Sequence, residues 1–256
     1  MDRPKVMDRP KVLVVAGYDQ SGGAGVLADI KTLEAHEVYG YAAVTAMTWQ
    51  NEREIRRVEW LALQDVLEQI DVCFDSAVFS WVKIGITESM AAAVAIVDHI
   101  RKRNPQARVV LDPVIKASSG AEFWGGLAGA EWETLAAHCY LVTPNWEEIN
   151  WLYPGEDIAA RCADLSKRAG CHVYLKGGHH PEHPGRDYLW TDGEAEMLEA
   201  PVAGGGIWPK HGSGCVLSSA LTAGLALGYP LPIAAERAKG YVWRFLGSNK
   251  TLLGWH

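Results

Sequence analysis

Lys11-Val12-Leu13-Val14-Val15-Ala16-Gly17 is a continuous apolar run, rich in β-branched residues, that stops at a glycine. A run of this kind without polar alternation predicts a strand buried on both faces, as in a parallel sheet. Polar, glycine-rich residues 18–25 follow, and residues 26–37 then place Leu27, Ile30 and Leu33 at helical spacing. Strand, loop and helix in that order form the repeating unit of an α/β fold. The rest of the chain repeats it. Residues 39–50 return to strand character, and residues 63–77 predict an amphipathic helix with Val66, Leu67, Ile70 and Phe74 on one face. Residues 78–86 read as strand, and residues 89–103 as a helix whose basic end suits its dipole.

Three short apolar strands follow, each with polar or glycine residues just past its end. Arg108-Val109-Val110-Leu111 runs into Asp112-Pro113, Tyr140-Leu141-Val142 into Thr143-Pro144-Asn145, and Val173-Tyr174-Leu175 into Lys176-Gly177-Gly178. Ligands of open α/β sheets bind beyond the carboxyl ends of the strands, so topology alone predicts that these residues converge. Residues 187–190 and 194–198 around Thr191-Asp192-Gly193 read as an antiparallel edge hairpin. Lys210-His211-Gly212-Ser213-Gly214-Cys215 opens into a small-residue, apolar helix, and residues 231–246 predict a final one. Gly212 and Gly214 let consecutive N–H groups point at one spot, and the unpaired N–H groups of the helix start favour an anion there. Cys215 lies in the same field, which is expected to favour its thiolate.

The 256 residues carry 48% apolar and 21% charged side chains, a balance that suits one large globular domain. A net charge of −7 with no basic stripe argues against general nucleic-acid or membrane-surface binding. Five cysteines without a C-x-x-C pair fit a reducing cytoplasm better than a disulfide framework. No apolar run reaches membrane-spanning length, and the polar N-terminus does not read as a secretory signal. Met1-Asp2-Arg3-Pro4-Lys5-Val6 is repeated as Met7-Asp8-Arg9-Pro10-Lys11-Val12, so residues 1–8 are set aside as a duplicated extension and residues 1–256 are read as a single domain. The chain lacks the G-x-x-x-x-G-K-[ST] pattern. Gly23-Ala24-Gly25-Val26-Leu27-Ala28 does match G-x-G-x-x-A, but five residues separate it from Gly17, and the next strand ends in Trp49-Gln50 rather than a ribose-binding acid.

Several motifs together identify a family. Ala16-Gly17-x-Asp19-x-Ser21-Gly22-Gly23-Ala24-Gly25 with Ala28-Asp29-Ile30-Lys31-Thr32 resembles the N-terminal motif of the hydroxymethylpyrimidine/phosphomethylpyrimidine kinases of thiamine biosynthesis. The likeness continues through Thr45-Ala46-x-Thr48-x-Gln50-Asn51, Lys83-Ile84-Gly85, Leu111-Asp112-Pro113-Val114, Thr143-Pro144-Asn145-x-x-Glu148, Lys176-Gly177-Gly178-His179 and His211-Gly212-Ser213-Gly214-Cys215. It spans roughly residues 11–245 in one order, which is far more specific than any single motif. The resemblance implies a ribokinase-like, three-layer αβα fold, ATP and Mg²⁺ as cofactors, a small pyrimidine alcohol or its monophosphate as substrate, and a homodimer. A pyridoxal-type kinase of the same fold and a non-catalytic pyrimidine-binding relative are the alternatives.

Residue by residue, the chemistry agrees with the resemblance. Phosphoryl transfer needs positioning and charge stabilisation more than covalent chemistry. The N–H groups of Gly212, Ser213 and Gly214 are expected to form the anion hole, with Cys215 taking the substrate hydroxyl proton; Cys215 stands where sugar-kinase relatives carry an aspartate base. Asn145 and Glu148, three apart at a helix start, place an amide and a carboxylate on one face for Mg²⁺, or else form a helix cap with a solvated acid. Asp112 is the second candidate metal ligand, and Lys176 a point charge for phosphate. The Gln50 amide suits a pyrimidine's amino group and ring nitrogen. The resemblance puts Gly17, Asp29, Gln50, Ile86 and Val114 around the substrate and Lys239 near the nucleotide.

Some positions depart from the family pattern. Tyr18 and Gln20 replace a small hydroxyl residue and a proline, and Ser118 stands where the family has a lysine, with Lys116 two residues earlier. Trp49, beside Gln50, is expected to narrow the pocket or stack on a substrate ring. Lys210, in place of a threonine, is expected to add charge beside the anion hole. The final helix ends early, without the family's glycine-rich close. His179-His180-Pro181-Glu182-His183 reads as loop histidines rather than a metal cluster. Exposed tryptophans are expected to line a dimer face.

Overall fold

The computed structural model describes residues 8–116, 123–124, 129–155, 157–178, 183–199 and 206–256, with the side chains of 129 and 130 left out. Ser118, His179, His180, Pro181, Glu182 and nearly all of the duplicated extension lie outside the described residues.

The opening apolar run forms β1 (Lys11–Tyr18), and the alternation of its side chains explains the layering. Leu13 and Val15 point into one apolar cluster, Val12, Val14 and Ala16 into another, and all five are fully buried or nearly so. Period-two alternation with both faces covered requires helices above and below the sheet. On one side lie α1 (Gly25–Ala35), α7 (Ser213–Ala226) and α8 (Leu231–Gly247). The other side carries α2 (Leu63–Ser76), α3 (Met90–Arg103), α4 (Gly129–Ala137), α5 (Trp146–Leu152) and α6 (Ile158–Ala169).

The remaining strands are β2 (Tyr39–Gln50), β3 (Ile55–Trp60), β4 (Trp81–Ile84), β5 (Arg108–Leu111), β6 (Leu141–Val142), β7 (His172–Leu175), β8 (Asp187–Thr191) and β9 (Glu194–Leu198). They form one nine-stranded sheet in the order β3-β2-β1-β4-β5-β6-β7-β8-β9. The run from β2 to β7 is parallel, while β3 and the β8–β9 hairpin are antiparallel edges. This is the three-layer αβα architecture expected from the sequence. Because the five central strands β1, β4, β5, β6 and β7 are parallel, they deliver Gly17, Ile86, Asp112, Asn145 and Lys176 to the same end of the sheet.

Three elements escaped the sequence reading. β3 is an edge strand whose Arg56, Arg57 and Glu59 face water, so it has no apolar run to announce it. The loop-like interval between residues 112 and 140 contains α4, and α6 follows α5 with an Asp157 side chain capping Ala160 N–H and Gly170 in the left-handed conformation closing it. The helix predicted at 89–103 begins with a side-chain cap, Ser89 Oγ accepting from Ala92 N–H at 3.1 Å.

Candidate active site

The site is built around the start of α7. Gly212 is the residue before the first helical turn and has φ 73°, a left-handed conformation that few side chains tolerate. A Cβ there would also collide with the Gly23 carbonyl oxygen. No side chain caps the turn, so the first N–H groups of α7 stay available and the positive end of the helix dipole points outward. The stretch from Val216 to Leu225 is wholly buried, which fixes the helix against the sheet.

Two adjacent serines set how α7 is rolled about its axis. Ser218 Oγ donates to Asp112 Oδ2 at 3.2 Å, and Ser219 Oγ donates to Asp29 Oδ1 at 2.7 Å. They lie one turn after Gly214 and Cys215 respectively. As a result Gly214 faces the strand ends: a Cβ added to it would sit 3.4 Å from Lys176 Nζ and 3.9 Å from Asp112 Oδ2. The missing side chain leaves a narrow cradle between backbone N–H groups, an ammonium and a carboxylate.

Lys176 follows β7 and bridges in parallel to Asn145, which follows β6. Its Nζ donates to Asp112 Oδ1 at 2.7 Å and lies 3.3 Å from Glu148 Oε2. Asp112 is fully buried and Glu148 nearly so. Burial opposes charge on Asp112, but Lys176 and Lys83 outweigh it and hold the carboxyl below the usual range. At Glu148 burial wins over Lys176, and nearby Asp112 adds to it, pushing the carboxyl up to about 7. The helix-cap part of the reading of Asn145 and Glu148 is observed as a capping box. Asn145 Oδ1 accepts from Glu147 and Glu148 N–H at 2.9 Å each, and Glu148 Oε2 accepts from Asn145 N–H at 2.6 Å. The solvated acid of that reading is instead a buried one, because the capping box turns it inward onto Lys176.

A second ion pair lies beneath Cys215. Lys83 Nζ donates to Asp29 Oδ2 at 2.8 Å, and neither side chain reaches solvent. Burial works against the ammonium, yet Asp29 and the neighbouring acidic groups keep Lys83 protonated. Asp29, expected around the substrate, is therefore closed off behind Lys83 and Ser219. The expectation of a resting Cys215 thiolate is corrected as well. Burial pushes this half-buried thiol up to about 11, more than Lys83 and the Gly25 N–H pull it down. The helix field acts, but desolvation of a thiolate costs more.

Gly17 and Ile86 lie against each other. β1 bulges between Ala16 and Tyr18 against β2, and a Gly17 side chain would collide with Ile86. Thr45 Oγ1 donates to the Ile86 carbonyl at 2.8 Å and fixes that wall. Val114 is half-buried, its N–H donating to the Asp112 carbonyl at 2.8 Å. Gln50 sits at the end of β2, where its N–H donates to Gln20 Oε1 at 3.3 Å and the Gln20 amide also donates to the Thr48 carbonyl. The β2–β3 ladder is irregular between Trp49 and Gln50, and the Trp49 ring centroid lies 3.4 Å from the Arg57 guanidinium carbon. One face of the ring is therefore taken by Arg57, while the side chain stays exposed.

Two more lysines are committed elsewhere. Lys239 Nζ donates to the Gly185 carbonyl at 2.6 Å and to Asp187 Oδ2 at 2.7 Å, tying α8 to the start of β8. Lys210 is buried, with its Nζ on the carbonyls of Asn249 at 2.6 Å and Thr251 at 2.7 Å, so its charge is directed away from the anion hole. The tryptophan face is also absent: among the described tryptophans only Trp49 and Trp255 are exposed.

The sequence reading missed the Asp19–His211 link. Asp19 is fully buried and accepts from Ser21 N–H, Ala24 N–H and His211 Nε2, at 2.9, 2.9 and 2.8 Å. It buttons the glycine-rich loop of residues 19–25 to the anion turn, and burial notwithstanding, His211 and Ser21 hold its carboxyl low. Both residues stood inside quoted motifs, but no spacing could show that they meet across 192 positions.

Among the described residues no group of three metal-ligating side chains gathers at one point. Mg²⁺ bound to a nucleotide typically takes one or two carboxylates and completes its shell with water and phosphate oxygens. Asp112 and Glu148 supply two such carboxylates beside the cradle. No helix among these residues is long and apolar enough to cross a membrane.

Comparison with known proteins gives a consistent picture. The sequence profile of the phosphomethylpyrimidine kinase family matches residues 19–255. A hydroxymethylpyrimidine/phosphomethylpyrimidine kinase of Rhizobium meliloti (strain 1021) is 38% identical over 238 residues, covering 90% of this chain and 88% of that protein. The crystal structure of a phosphomethylpyrimidine kinase from Clostridium difficile 630 superposes with a TM-score of 0.77 at 31% identity, over 91% of this chain and 98% of that one. An ADP complex of Bacillus subtilis pyridoxal kinase superposes with a TM-score of 0.79 at 26% identity, over 95% of this chain and 94% of that one.

Proposed function

This chain belongs to the phosphomethylpyrimidine kinase family, and from that premise we propose how its residues carry the transfer. It is a phosphotransferase that uses ATP to phosphorylate hydroxymethylpyrimidine in thiamine biosynthesis. The observation that carries the site assignment is the cradle at Gly214, where a helix N-terminus, Lys176 and Asp112 meet within van der Waals reach.

In this reading the Gly212, Ser213 and Gly214 N–H groups donate to the oxygens of the transferring phosphoryl group, and Lys176 balances its charge. Asp112 and Glu148 would hold Mg²⁺, and Asn145 and Lys239 lie on the nucleotide side. Magnesium supplies charge neutralisation on the phosphates when bound. Gly17, Ile86, Val114 and Gln50 form the walls around the pyrimidine, while Asp29 supports that wall from behind through Lys83. The substrate hydroxyl oxygen bonds to the terminal phosphorus of ATP, the bond from that phosphorus to the bridging oxygen breaks, and ADP leaves. The hydroxyl proton passes to Cys215 in its thiolate form.

The same site performs both phosphorylations. In the second, an oxygen of the substrate's own phosphate attacks, and it carries no proton to remove at neutral pH. The reading also includes a single catalytic domain, a homodimer and the cytoplasm as compartment; the five free thiols support the last. A coupled ADP-release assay over hydroxymethylpyrimidine, its monophosphate and pyridoxal tests the substrate. Turnover is expected on both pyrimidines at a higher kcat/KM than on pyridoxal. Preference for pyridoxal would contradict the assignment, and binding without turnover would mark a sensor.

A further inference from the structure

Residues 248–256, which follow α8, fold back across the turn that opens α7. Lys210 Nζ reaches two of their main-chain carbonyls, and the next residue, His211, donates its N–H to a third, that of Leu252, at 2.9 Å. The two residues immediately before Gly212 are therefore held from one side by a single segment. On the other side His211 is held by Asp19 through its ring.

Asn249 shapes that segment. Its Oδ1 accepts from both the N–H and the Oγ1 of Thr251 at 2.7 Å, and its Nδ2 donates to the Leu253 carbonyl at 2.9 Å. These bonds present the Asn249 and Thr251 carbonyls to the ammonium. Leu253 completes the contact by packing on Gly23, where a Cβ would lie 2.8 Å from its Cδ2. The same segment thus braces both the anion turn and the glycine-rich loop facing it.

Lys210 is 7% exposed, and among the described residues it has no carboxylate partner; its Nζ sits on two carbonyls and lies 6.0 Å from the centroid of the Trp208 ring. A buried ammonium on neutral acceptors is costly to hold. Burial accordingly lowers its pKa. A threonine hydroxyl, which the family pattern has here, is too short to reach across to the segment. The long side chain and the early end of α8 are two departures that fit each other.

We propose that Lys210 and Asn249 are positioning residues: they act through residues 248–253 to hold the N–H groups of 212–214 in the geometry that the phosphoryl transfer state needs. The inference rests on the anion-hole reading above. Preorganised donors lose their value when they must be re-aimed during the reaction, and misplacement by about an ångström costs on the order of a hundredfold. A partial loosening, with Asp19 still in place, is expected to cost about tenfold.

The test is steady-state kinetics of the full chain at a temperature where melting curves show each variant folded. Lys210→Met and Asn249→Ala should each lower kcat about tenfold, with KM for the pyrimidine unchanged. The double variant should be no slower than the slower single, because both act through one segment. Asn249→Asp, which keeps the acceptor bonds from Thr251, should recover most of the loss. Wild-type kcat in both singles, or losses that multiply in the double, would overturn the proposal. A purely structural role would lower the melting temperature and leave kcat intact, which also overturns it. Gly214→Val separates the two levels, since it fills the cradle. If it is inactive while the two singles are normal, only this inference fails; if it keeps wild-type turnover, the anion-hole reading fails.

Discussion

Replacing Lys83 by methionine should destabilise the protein more than any other single charge removal in the site. Methionine keeps the length of the stem and removes the ammonium. Asp29 would then keep its bond from Ser219 at 2.7 Å but lose the cation at 2.8 Å, with no solvent to replace it, since both side chains are fully buried. Leaving one member of a buried pair uncompensated costs about 3–5 kcal/mol, roughly a fifth or more of the stability of an ordinary domain. A surface pair such as Arg57–Glu59 at 3.1 Å, more than half exposed on both sides, contributes below about 1 kcal/mol by the same reasoning. Urea titration followed by far-ultraviolet circular dichroism measures the difference through the midpoint at constant slope. The double variant Lys83→Met with Asp29→Asn should recover more than half of the loss, because no charge is left unpaired. A cost below about 1 kcal/mol for Lys83→Met, or no recovery in the double, would refute the claim that a charged pair sits beneath Cys215.

Two further expectations concern chemistry. Lys176→Met leaves Asp112 and Glu148 facing each other without their shared cation, and kcat should fall by about 10²–10³-fold; a value within threefold of wild type would contradict its place at the phosphate. With the Cys215 thiol at about 11, only about one site in 10⁴ carries a thiolate at pH 7, and that share grows tenfold per pH unit. Single-turnover rates of the first phosphorylation should therefore rise about a hundredfold from pH 7 to pH 9, while a flat profile would count against proton transfer to the thiolate.

The sequence made the central strands plain because each is a short apolar run with a polar residue just beyond it, and buried parallel strands read that way. Asp112, Asn145 and Lys176 were legible as neighbours from topology alone, and the structure pairs Lys176 with Asp112 through its side chain and with Asn145 through a main-chain bridge. What stayed hidden depends on side-chain direction or on long-range pairing. β3 is polar on its exposed face, so periodicity gave no signal. Lys83 meets Asp29 across 54 positions and Ser219 meets it across 190, distances at which spacing carries no information. Lys210 was misread because its charge was placed by sequence adjacency, whereas its four-carbon stem carries the ammonium to the segment after α8. Cys215 was misread for a different reason: the helix field was counted and the cost of desolvating a thiolate was not. Capping signals for α6, an aspartate before it and a glycine after it, were present and unused.

The account places an anion hole at Gly212, Ser213 and Gly214 that serves both phosphorylations, and a proton acceptor at Cys215 that serves only the first. One comparison tests this most directly: the rate of each step in Cys215→Ala, measured in separate single-turnover reactions started from hydroxymethylpyrimidine and from its monophosphate. The account predicts a loss of about 10²-fold or more in the first step and a second step within a few-fold of wild type. Equal losses in both steps, or an unaffected first step, would contradict it.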